Sequence, residues 1–191
     1  MTKVGYLEPL RLPGGVVVVG ENASPWYEGR MPVSVRRAAP ADIPTILSLL
    51  RELAEFEGRL DRVQVNETRL AEYAFGERAC IEILIGNLDG QDVSYALFFP
   101  IFGSFRGLPW LYLEDLYVQP RARGANVGRS MMSSLARVVK ERGWAGMAWG
   151  VLEWNEAAFR FYERLGAVRS NHGHVGMELA GGALDRIADL Q

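Results

Sequence analysis

Residues 112–167 carry strand-like and helix-like patterns in a regular succession. The apolar run LYLEDLYV is typical of a buried strand, and the loop QPRARGANVG follows it directly. A helical stripe of apolar residues then ends at Gly143, and the run Trp144–Glu153 predicts a second strand. Asn155 is expected to cap the next helix, which Gly166 ends. This order of elements predicts an α/β fold built on a mixed sheet.

The chain upstream continues the same alternation. Pro40, Asp42 and Pro44 indicate a helix start with Asp42 as the cap, and this helix is expected to run to about Glu57. Its predicted apolar face consists of Ile43, Ile46, Leu47, Leu50, Leu53 and Ala54. The other predicted elements are a strand at Val33 and Val35, a helix at Thr68–Phe75, strands at Ile81–Ile85 and Val93–Ile101 around a turn near Asp89 and Gly90, and short strands near Val168 and at Gly176–Leu179. The predicted order is β-α-α-β-β-β-α-β-α-β-β, without an internal repeat.

Length and composition favour one globular domain. The chain has 191 residues, of which 49% are apolar, enough for a full core. Residues 1–31 differ from the rest because they are rich in Gly and Pro and show no lasting periodicity. They form either an extension draped on the surface or a stretch before the true initiator, Met31. The predicted domain therefore spans residues 32–191.

Charge and residue usage exclude several classes of protein. Twenty-one basic and twenty-three acidic residues give a net charge of −2, which argues against binding to nucleic acid or anionic lipid. The apolar runs are shorter than the roughly 20 residues that a membrane span needs, and the N-terminus lacks a secretory pattern, so we expect a cytoplasmic protein. Cys80 is the single cysteine, so an internal disulfide is impossible. His172 and His174 are too few ligands for zinc, and no metal is expected.

The loop between the strand LYLEDLYV and the following helix has the features of an anion site. A helix start presents free backbone N–H groups and a positive dipole end, and Gly124 and Gly128 allow close approach of the backbone. Arg121, Arg123 and Arg129 add positive charge. The loop therefore either holds a pyrophosphate or is a helix entry with solvated arginines. No Gly-Lys-Ser/Thr follows, so it is not a Walker-type loop.

The sequence resembles the GNAT N-acetyltransferases. The segments LYLEDLYVQP, RARGANVG and VLEWNEAAFRFYERLGA look like the coenzyme A loop of that family and its flanks. RELAEFE, FGE and YALFFPIFGSF add a narrower similarity to the diamine (spermidine/spermine) and thialysine N-acetyltransferase branch, over roughly residues 32–191. The resemblance implies a single GNAT-like domain, with a twisted mixed β-sheet whose central strands splay apart and helices that flank it. It also implies acetyl-CoA as co-substrate, a small-molecule amine as substrate and a homodimer.

Acetyl transfer to an amine needs a proton acceptor and a proton donor. An alkylammonium with a pKa near 10.4 is neutral in only about one molecule in a few thousand at pH 7. Glu114 is the candidate acceptor, which in the family acts through a water, and Tyr162 matches the general acid of the family. The positions implied for the coenzyme are Leu116, Tyr117, Val118, Arg123, Gly124, Ala125, Asn126, Val127, Gly128, Arg129, Asn155 and Phe161. Those implied for the amine are Phe56, Glu57, Ser104, Glu114 and Asp115.

Three parts of the sequence depart from the family pattern. Asn126 stands where the loop usually has glycine, although asparagine tolerates a left-handed backbone better than most residues. Gly103, Ser104 and Phe105 replace an acidic residue of the polyamine-acetylating members, which favours short amines such as thialysine or lysine-like amino acids. His174 and Glu178 replace a Trp and an Arg.

Two other functions stay open. The first is acetylation of an antibiotic or protein amine on the same scaffold. The second is a non-catalytic acyl-CoA-binding protein, which Asn126 and the altered C-terminal segment would favour.

Overall fold

The computed structural model describes residues 33–169, together with residues 180, 182 and 188. The chain divides into two compact units after Gly150. Among the described residues, the first unit holds the sheet and three helices, and the second, which begins at Val151, holds a fourth helix. The predicted extension 1–31, the strand at Gly176–Leu179, and the positions His172, His174 and Glu178 lie outside the described residues.

The described elements follow the predicted order closely. The strands are β1 (Ser34–Arg37), β2 (Glu82–Leu88), β3 (Gln91–Gly103), β4 (Leu108–Val118) and β5 (Met147–Trp149). The helices are α1 (Ile43–Phe56), α2 (Glu67–Phe75), α3 (Val127–Glu141) and α4 (Glu156–Arg164). No helix among these residues is long and apolar enough to cross a membrane.

The five strands form one mixed sheet in the order β1-β2-β3-β4-β5. Neighbouring strands from β1 to β4 are antiparallel, and β4 pairs with β5 in parallel. A two-residue turn joins β2 to β3, and its residues Asp89 and Gly90 both have positive φ angles, as a tight hairpin requires. The predicted mixed α/β fold is confirmed.

Helices cover both faces of this sheet. The helices α1 and α2 pack on one face, where their apolar residues join Ile85, Tyr95, Leu97 and Tyr117 in one buried cluster. The next residue after Ile85, Gly86, points to the other face, where an added Cβ would lie 2.9 Å from the sulfur of Met131 on α3. The apolar stripe predicted for α3 is buried, as its spacing requires.

Three predictions of local structure need correction. The strand predicted at Trp144–Glu153 covers only Met147–Trp149, because its pairing with β4 ends there. Asp42 occupies the expected cap position of α1, but its carboxylate binds the N–H of Ala39 and the guanidinium of Arg36 instead of the helix. Val168 lies outside the described strands.

Candidate active site

A β-bulge on β4 carries Glu114. Leu97 pairs with Asp115 and Phe98 pairs with Leu113, so Glu114 is an extra residue between two paired positions. A bulge of this kind bends the strand and redirects one side chain. Glu114 is exposed although both Leu113 and Leu111 are buried. The bulge therefore presents a carboxylate to solvent in the middle of an apolar strand.

The strands β4 and β5 part at the same place. Their pairing consists of Leu111 with Met147, Tyr112 with Ala148 and Leu113 with Trp149. Beyond this point β4 continues to Val118, and within the described residues no strand pairs with its β5 side. Backbone groups of Leu116, Tyr117 and Val118 therefore lie along an open strand edge. The pairing of the two strands thus ends after Leu113 and Trp149, and the splaying of the central strands that the resemblance implies stays a prediction.

The loop after β4 leads into the N-terminus of α3. A 3-10 turn at Pro120–Ala122 is followed by Gly124, whose φ of +83° is readily adopted by glycine. Asn126 precedes the helix with a φ of 66°, so it adopts the left-handed conformation that the sequence suggested it would tolerate. Its side chain makes no capping hydrogen bond. The first turn of α3 therefore has no side-chain cap, which suits a helix start that receives an anion.

The arginines of this loop are held in different ways. Arg123 donates from Nε to the carbonyl of Val118 at 3.0 Å, and its guanidinium lies 5.1 Å from the ring centre of Phe56 on α1. Arg121 donates to Gln119 and Gln91, which direct it toward the start of β3. Arg129 is exposed in the first turn of α3. Arg123, a predicted coenzyme position, thus contacts Phe56, a predicted amine position.

Glu52 on α1 was not among the residues selected from the sequence. Its carboxylate accepts a hydrogen bond from the hydroxyl of Tyr117 at 3.1 Å, and the side-chain amide of Gln119 donates to both carboxylate oxygens. Burial, followed by the hydrogen bond to Glu52, raises the pKa of Tyr117 to about 12. A weak signal was present, since Glu52 and Phe56 are four residues apart and share a helix face.

Asp115 lies beside the bulge, in a partly buried position. Burial is the main reason that the pKa of Asp115 rises to about 6, and the nearby charges of Glu114 and Glu57 raise it further. A hydrogen bond of 3.0 Å from the hydroxyl of Tyr95 opposes this rise. Glu57 follows the last residue of α1 and lies 3.7 Å from the guanidinium of Arg59. The predicted carboxylates Glu114 and Glu57 thus raise the pKa of Asp115, and Tyr95 is a hydrogen-bond partner of Asp115 that sequence reasoning missed.

Ser104 is not brought close to these carboxylates. It is exposed in the turn between β3 and β4, beside the last pair of that hairpin, Gly103 with Leu108. Gly103 lies six positions along β3 from Leu97, the partner of Asp115, which corresponds to roughly 20 Å along a strand. Any contact of Ser104 with an amine held at Asp115 would have to span this distance.

The second unit contains the remaining predicted residues. Oδ1 of Asn155 accepts a hydrogen bond from the N–H of Ala158 at 3.1 Å, so the predicted cap of α4 is confirmed. The rings of Phe161 and Tyr162 meet edge to face with centroids 5.1 Å apart. Burial raises the pKa of Tyr162 to about 12, so its hydroxyl stays protonated at neutral pH. This group can donate a proton but is not a base under ordinary conditions.

The residues of the first unit suit a nucleotide-bearing thioester. The open edge of β4 offers backbone donors and acceptors, and the N-terminus of α3 offers positive potential for a pyrophosphate. Within residues 33–169, no group of three His, Cys, Asp or Glu side chains could hold a metal ion.

Comparisons with known proteins agree with this geometry. Residues 46–167 match the model of the acetyltransferase (GNAT) family. A thialysine N-epsilon-acetyltransferase of Bos taurus is 34% identical over 143 residues, which cover 71% of this chain and 84% of the relative. A spermidine/spermine N(1)-acetyltransferase-like protein 1 of Homo sapiens is 30% identical over 70% of this chain and 20% of that protein.

Solved structures support the fold. An integron cassette protein from the mobile metagenome of V. cholerae superposes with a TM-score of 0.68 at 21% identity, over 84% of this chain and 99% of the other. An aminoglycoside acetyltransferase from a soil metagenome superposes with a TM-score of 0.66 at 14% identity, over 78% of this chain and 97% of the other. The family match covers more than half of the sequence, and the chain belongs to the GNAT family of acetyltransferases.

Proposed function

We propose that this protein transfers the acetyl group of acetyl-CoA to a primary amine of a small substrate, in the class of thialysine, lysine and short diamines. The observation that carries the proposal is the exposed Glu114 on a β-bulge at the point where β4 leaves β5. In this arrangement the carboxylate of Glu114 would accept a proton beside an open strand edge. The thialysine N-epsilon-acetyltransferases of Bos taurus and Mus musculus, at 34% and 30% identity, support the substrate class.

The co-substrate would be held by two parts of the first unit. The first turn of α3, with Val127, Gly128 and Arg129, would receive the pyrophosphate, because its N–H groups and dipole favour an anion. The loop residues Arg123–Asn126 would surround it. The open edge at Leu116–Val118 would hydrogen-bond the pantetheine arm and the acetyl oxygen. The resemblance to the family assigns Asn155 and Phe161, in the second unit, to the coenzyme as well. Acetyl-CoA supplies the acetyl group as an activated thioester.

Glu114 and Tyr162 would handle the protons. Glu114 would take up, through a water, a proton from the ammonium group, since only the neutral amine has a lone pair for attack. Backbone N–H groups at Leu116–Val118 would stabilise the negative charge that develops on the acetyl oxygen. Tyr162 would donate its hydroxyl proton to the sulfur as the carbon–sulfur bond breaks. After attack, the positively charged nitrogen would lose its second proton, which would restore the hydroxyl of Tyr162, and the proton that Glu114 accepted would pass to solvent.

The charge of the amine site favours a cation. The charges of Glu114 and Glu57 are close enough to Asp115 to raise its pKa, so the site carries excess negative charge. Phe56 would contact the aliphatic part of the amine. Gly103 and Ser104 stand where polyamine-acetylating members have an acidic residue, and we therefore propose a short amine instead of a long polyamine. A role for Ser104 in this choice stays a prediction.

We also propose that the protein is a cytoplasmic homodimer. The tip of the β3–β4 hairpin bears several exposed apolar side chains, namely Ile101, Phe102, Phe105 and Leu108. A second chain covering such a patch would remove apolar surface from water. Sedimentation measured across a range of protein concentrations tests this expectation.

The deciding experiment measures free thiol release. The purified protein is incubated with acetyl-CoA and thialysine, lysine, ornithine, putrescine, spermidine or spermine. We expect turnover with the short amines and a loss of roughly 100-fold or more in kcat for Glu114→Gln. Glu153→Gln, a change at an exposed carboxylate outside the proposed site, is the matched control.

Calorimetric titration with coenzyme A distinguishes a protein that does not bind the coenzyme from one that binds it but acetylates none of these amines. Binding of coenzyme A without turnover on any amine would contradict the proposed amine class and favour a non-catalytic acyl-CoA-binding protein. An absence of binding would contradict the coenzyme site itself.

A further inference from the structure

The side chain of Tyr95 reaches from the core to the edge of the proposed amine site. It is fully buried on β3, and its hydroxyl donates a hydrogen bond to Oδ2 of Asp115 at 3.0 Å. The strand register pairs Tyr95 with Tyr117 and Leu97 with Asp115, so the ring extends diagonally along one face of the sheet. A phenol packed in this way has little freedom to turn. Tyr95 therefore fixes the position of one carboxylate oxygen.

The surroundings of Asp115 contain the carboxylates of Glu114 and Glu57, of which Glu57 lies 3.7 Å from the guanidinium of Arg59. Glu114 approaches from β4 itself and Glu57 from the end of α1, and both disfavour ionisation of Asp115. Within residues 33–169, Asp115 forms no ion pair, and Tyr95 is the side chain that donates a hydrogen bond to it. A partly buried carboxylate of this kind is costly to ionise unless a donor or a cation compensates it.

We propose that Tyr95 is a positioning residue for Asp115, which keeps this carboxylate ionised and directed toward the ammonium group of the amine substrate. The inference rests on the proposed function and adds a residue to it. Burial, followed by the charge of Asp115, raises the pKa of Tyr95 above its ordinary value of 10.0. The hydroxyl consequently donates at every working pH and does not act as a base. Its removal would leave burial and two like charges to favour the neutral acid, which cannot form an ion pair with an ammonium group.

The first test follows the charge of Asp115 without using activity. The carboxyl ¹³C resonance of Asp115 is titrated by NMR in the wild type and in Tyr95→Phe, which keeps the ring and removes the hydroxyl. We expect the midpoint to move upward by roughly one pH unit. Tyr112→Phe is the matched control, because Tyr112 lies on β4 and its hydroxyl forms no hydrogen bond within the described residues; it should leave the midpoint in place. An unchanged midpoint in Tyr95→Phe would overturn the proposal.

The second test separates positioning from packing. At pH 6.5 we expect Tyr95→Phe to raise KM for the amine by roughly threefold, because a midpoint one pH unit higher lowers the ionised fraction of Asp115 by that factor, with KM for acetyl-CoA unchanged. The KM values of Tyr95→Phe and the wild type for the amine should become similar at pH 9, where Asp115 is ionised in both proteins while most of the amine is still a cation. A difference that is independent of pH would overturn the role proposed for Tyr95.

A double-mutant cycle completes the design. In the Asp115→Asn background, Tyr95→Phe should add no further increase in KM for the amine. The same increase in that background would show that Tyr95 acts through the core alone, which contradicts the proposal. If the wild type acetylates no amine, the proposed function fails, whereas the NMR titration still reports whether Tyr95 controls the charge of Asp115.

Discussion

The hydroxyl of Tyr117 donates a hydrogen bond to Oε2 of Glu52 at 3.1 Å, and this bond joins β4 to α1. Gln119 strengthens the junction by donating to both oxygens of the same carboxylate, at 2.9 and 3.1 Å. Tyr117 lies within the open strand edge, and Gln119 begins the loop that leads to α3. Glu52 therefore anchors the two segments that are proposed to hold the co-substrate.

Replacement of Glu52 tests this anchor. We expect Glu52→Ala to lower the free energy of unfolding by about 1–3 kcal/mol, because it leaves the Tyr117 hydroxyl and the Gln119 amide without their acceptor. KM for acetyl-CoA should rise by several-fold, since the loop loses its fixed start. Urea denaturation and steady-state kinetics measure the two effects. Glu55→Ala, an exposed position on the same helix, should change neither; equal effects at both positions would refute the anchor.

The sequence predicted the elements better than the contacts between them. The apolar spacing of α3, the turn at Asp89 and Gly90, and the cap at Asn155 were recognisable because each is a local pattern of residue type and spacing. The extent of β5 was overestimated, since an apolar run does not reveal where a partner strand departs.

The limits were similar at the candidate site. Glu114 and Asp115 were selected because two carboxylates within an apolar strand are unusual. The bulge that separates their environments depends on the register with β3, which no local pattern encodes. Glu52 and Tyr95 were missed because their hydrogen-bond partners are 65 and 20 residues away in the sequence.

The left-handed backbone of Asn126 leads to a prediction about the co-substrate loop. Glycine adopts a φ of 66° without strain, whereas alanine does not, and asparagine is intermediate. Asn126→Gly should leave the free energy of unfolding nearly unchanged and lower KM for acetyl-CoA a few-fold, because it removes a side chain from beside the proposed pyrophosphate position. Asn126→Ala should cost about 1 kcal/mol of stability. A higher KM in Asn126→Gly would indicate that the asparagine side chain contributes to binding.

The raised pKa of Asp115 predicts that this carboxylate lowers the stability of the folded protein above about pH 6. Its folded-state pKa of about 6 exceeds the ordinary value of 3.8, so the folded state holds this proton more tightly than the unfolded chain. The contribution of Asp115 to stability therefore falls as pH rises from about 4 to 6, and the cost persists above that range. Asp115→Asn should be more stable than the wild type at pH 8 and similar to it near pH 4.

The size of this difference is limited by solvent. If the whole pKa change were converted into free energy of unfolding, it would give about 3 kcal/mol. Because Asp115 is partly exposed, we expect Asp115→Asn to exceed the wild type by about 1–2 kcal/mol at pH 8. Urea denaturation at several pH values measures it, with Asp61→Asn as a control at an exposed carboxylate. A difference between wild type and Asp115→Asn that does not vary with pH would contradict the charge-based explanation.

Two glycines near β5 provide a matched pair for packing. A Cβ added at Gly146 would lie 2.8 Å from the ring of Trp110, whereas one added at Gly150 would meet nothing within 4 Å. Gly146→Ala should therefore destabilise the protein by about 1–3 kcal/mol through displacement of Trp110. Gly150→Ala should be neutral within about 0.5 kcal/mol. Thermal and urea unfolding compare the two; equal effects would show that the Trp110 contact does not limit the space at Gly146.

Tyr162 provides the direct test of the proposed proton donor. Tyr162→Phe keeps the ring and removes the hydroxyl, so we expect kcat to fall by roughly 100-fold or more while KM for acetyl-CoA changes little. Because burial raises the pKa of Tyr162 to about 12, the group stays protonated through pH 10, and it should cause no loss of kcat in the wild type between pH 8 and 10. Stopped assays across this range measure both features. A kcat in Tyr162→Phe equal to that of the wild type would mean that the departing thiolate obtains its proton elsewhere, and Tyr162 would then be a packing residue of α4.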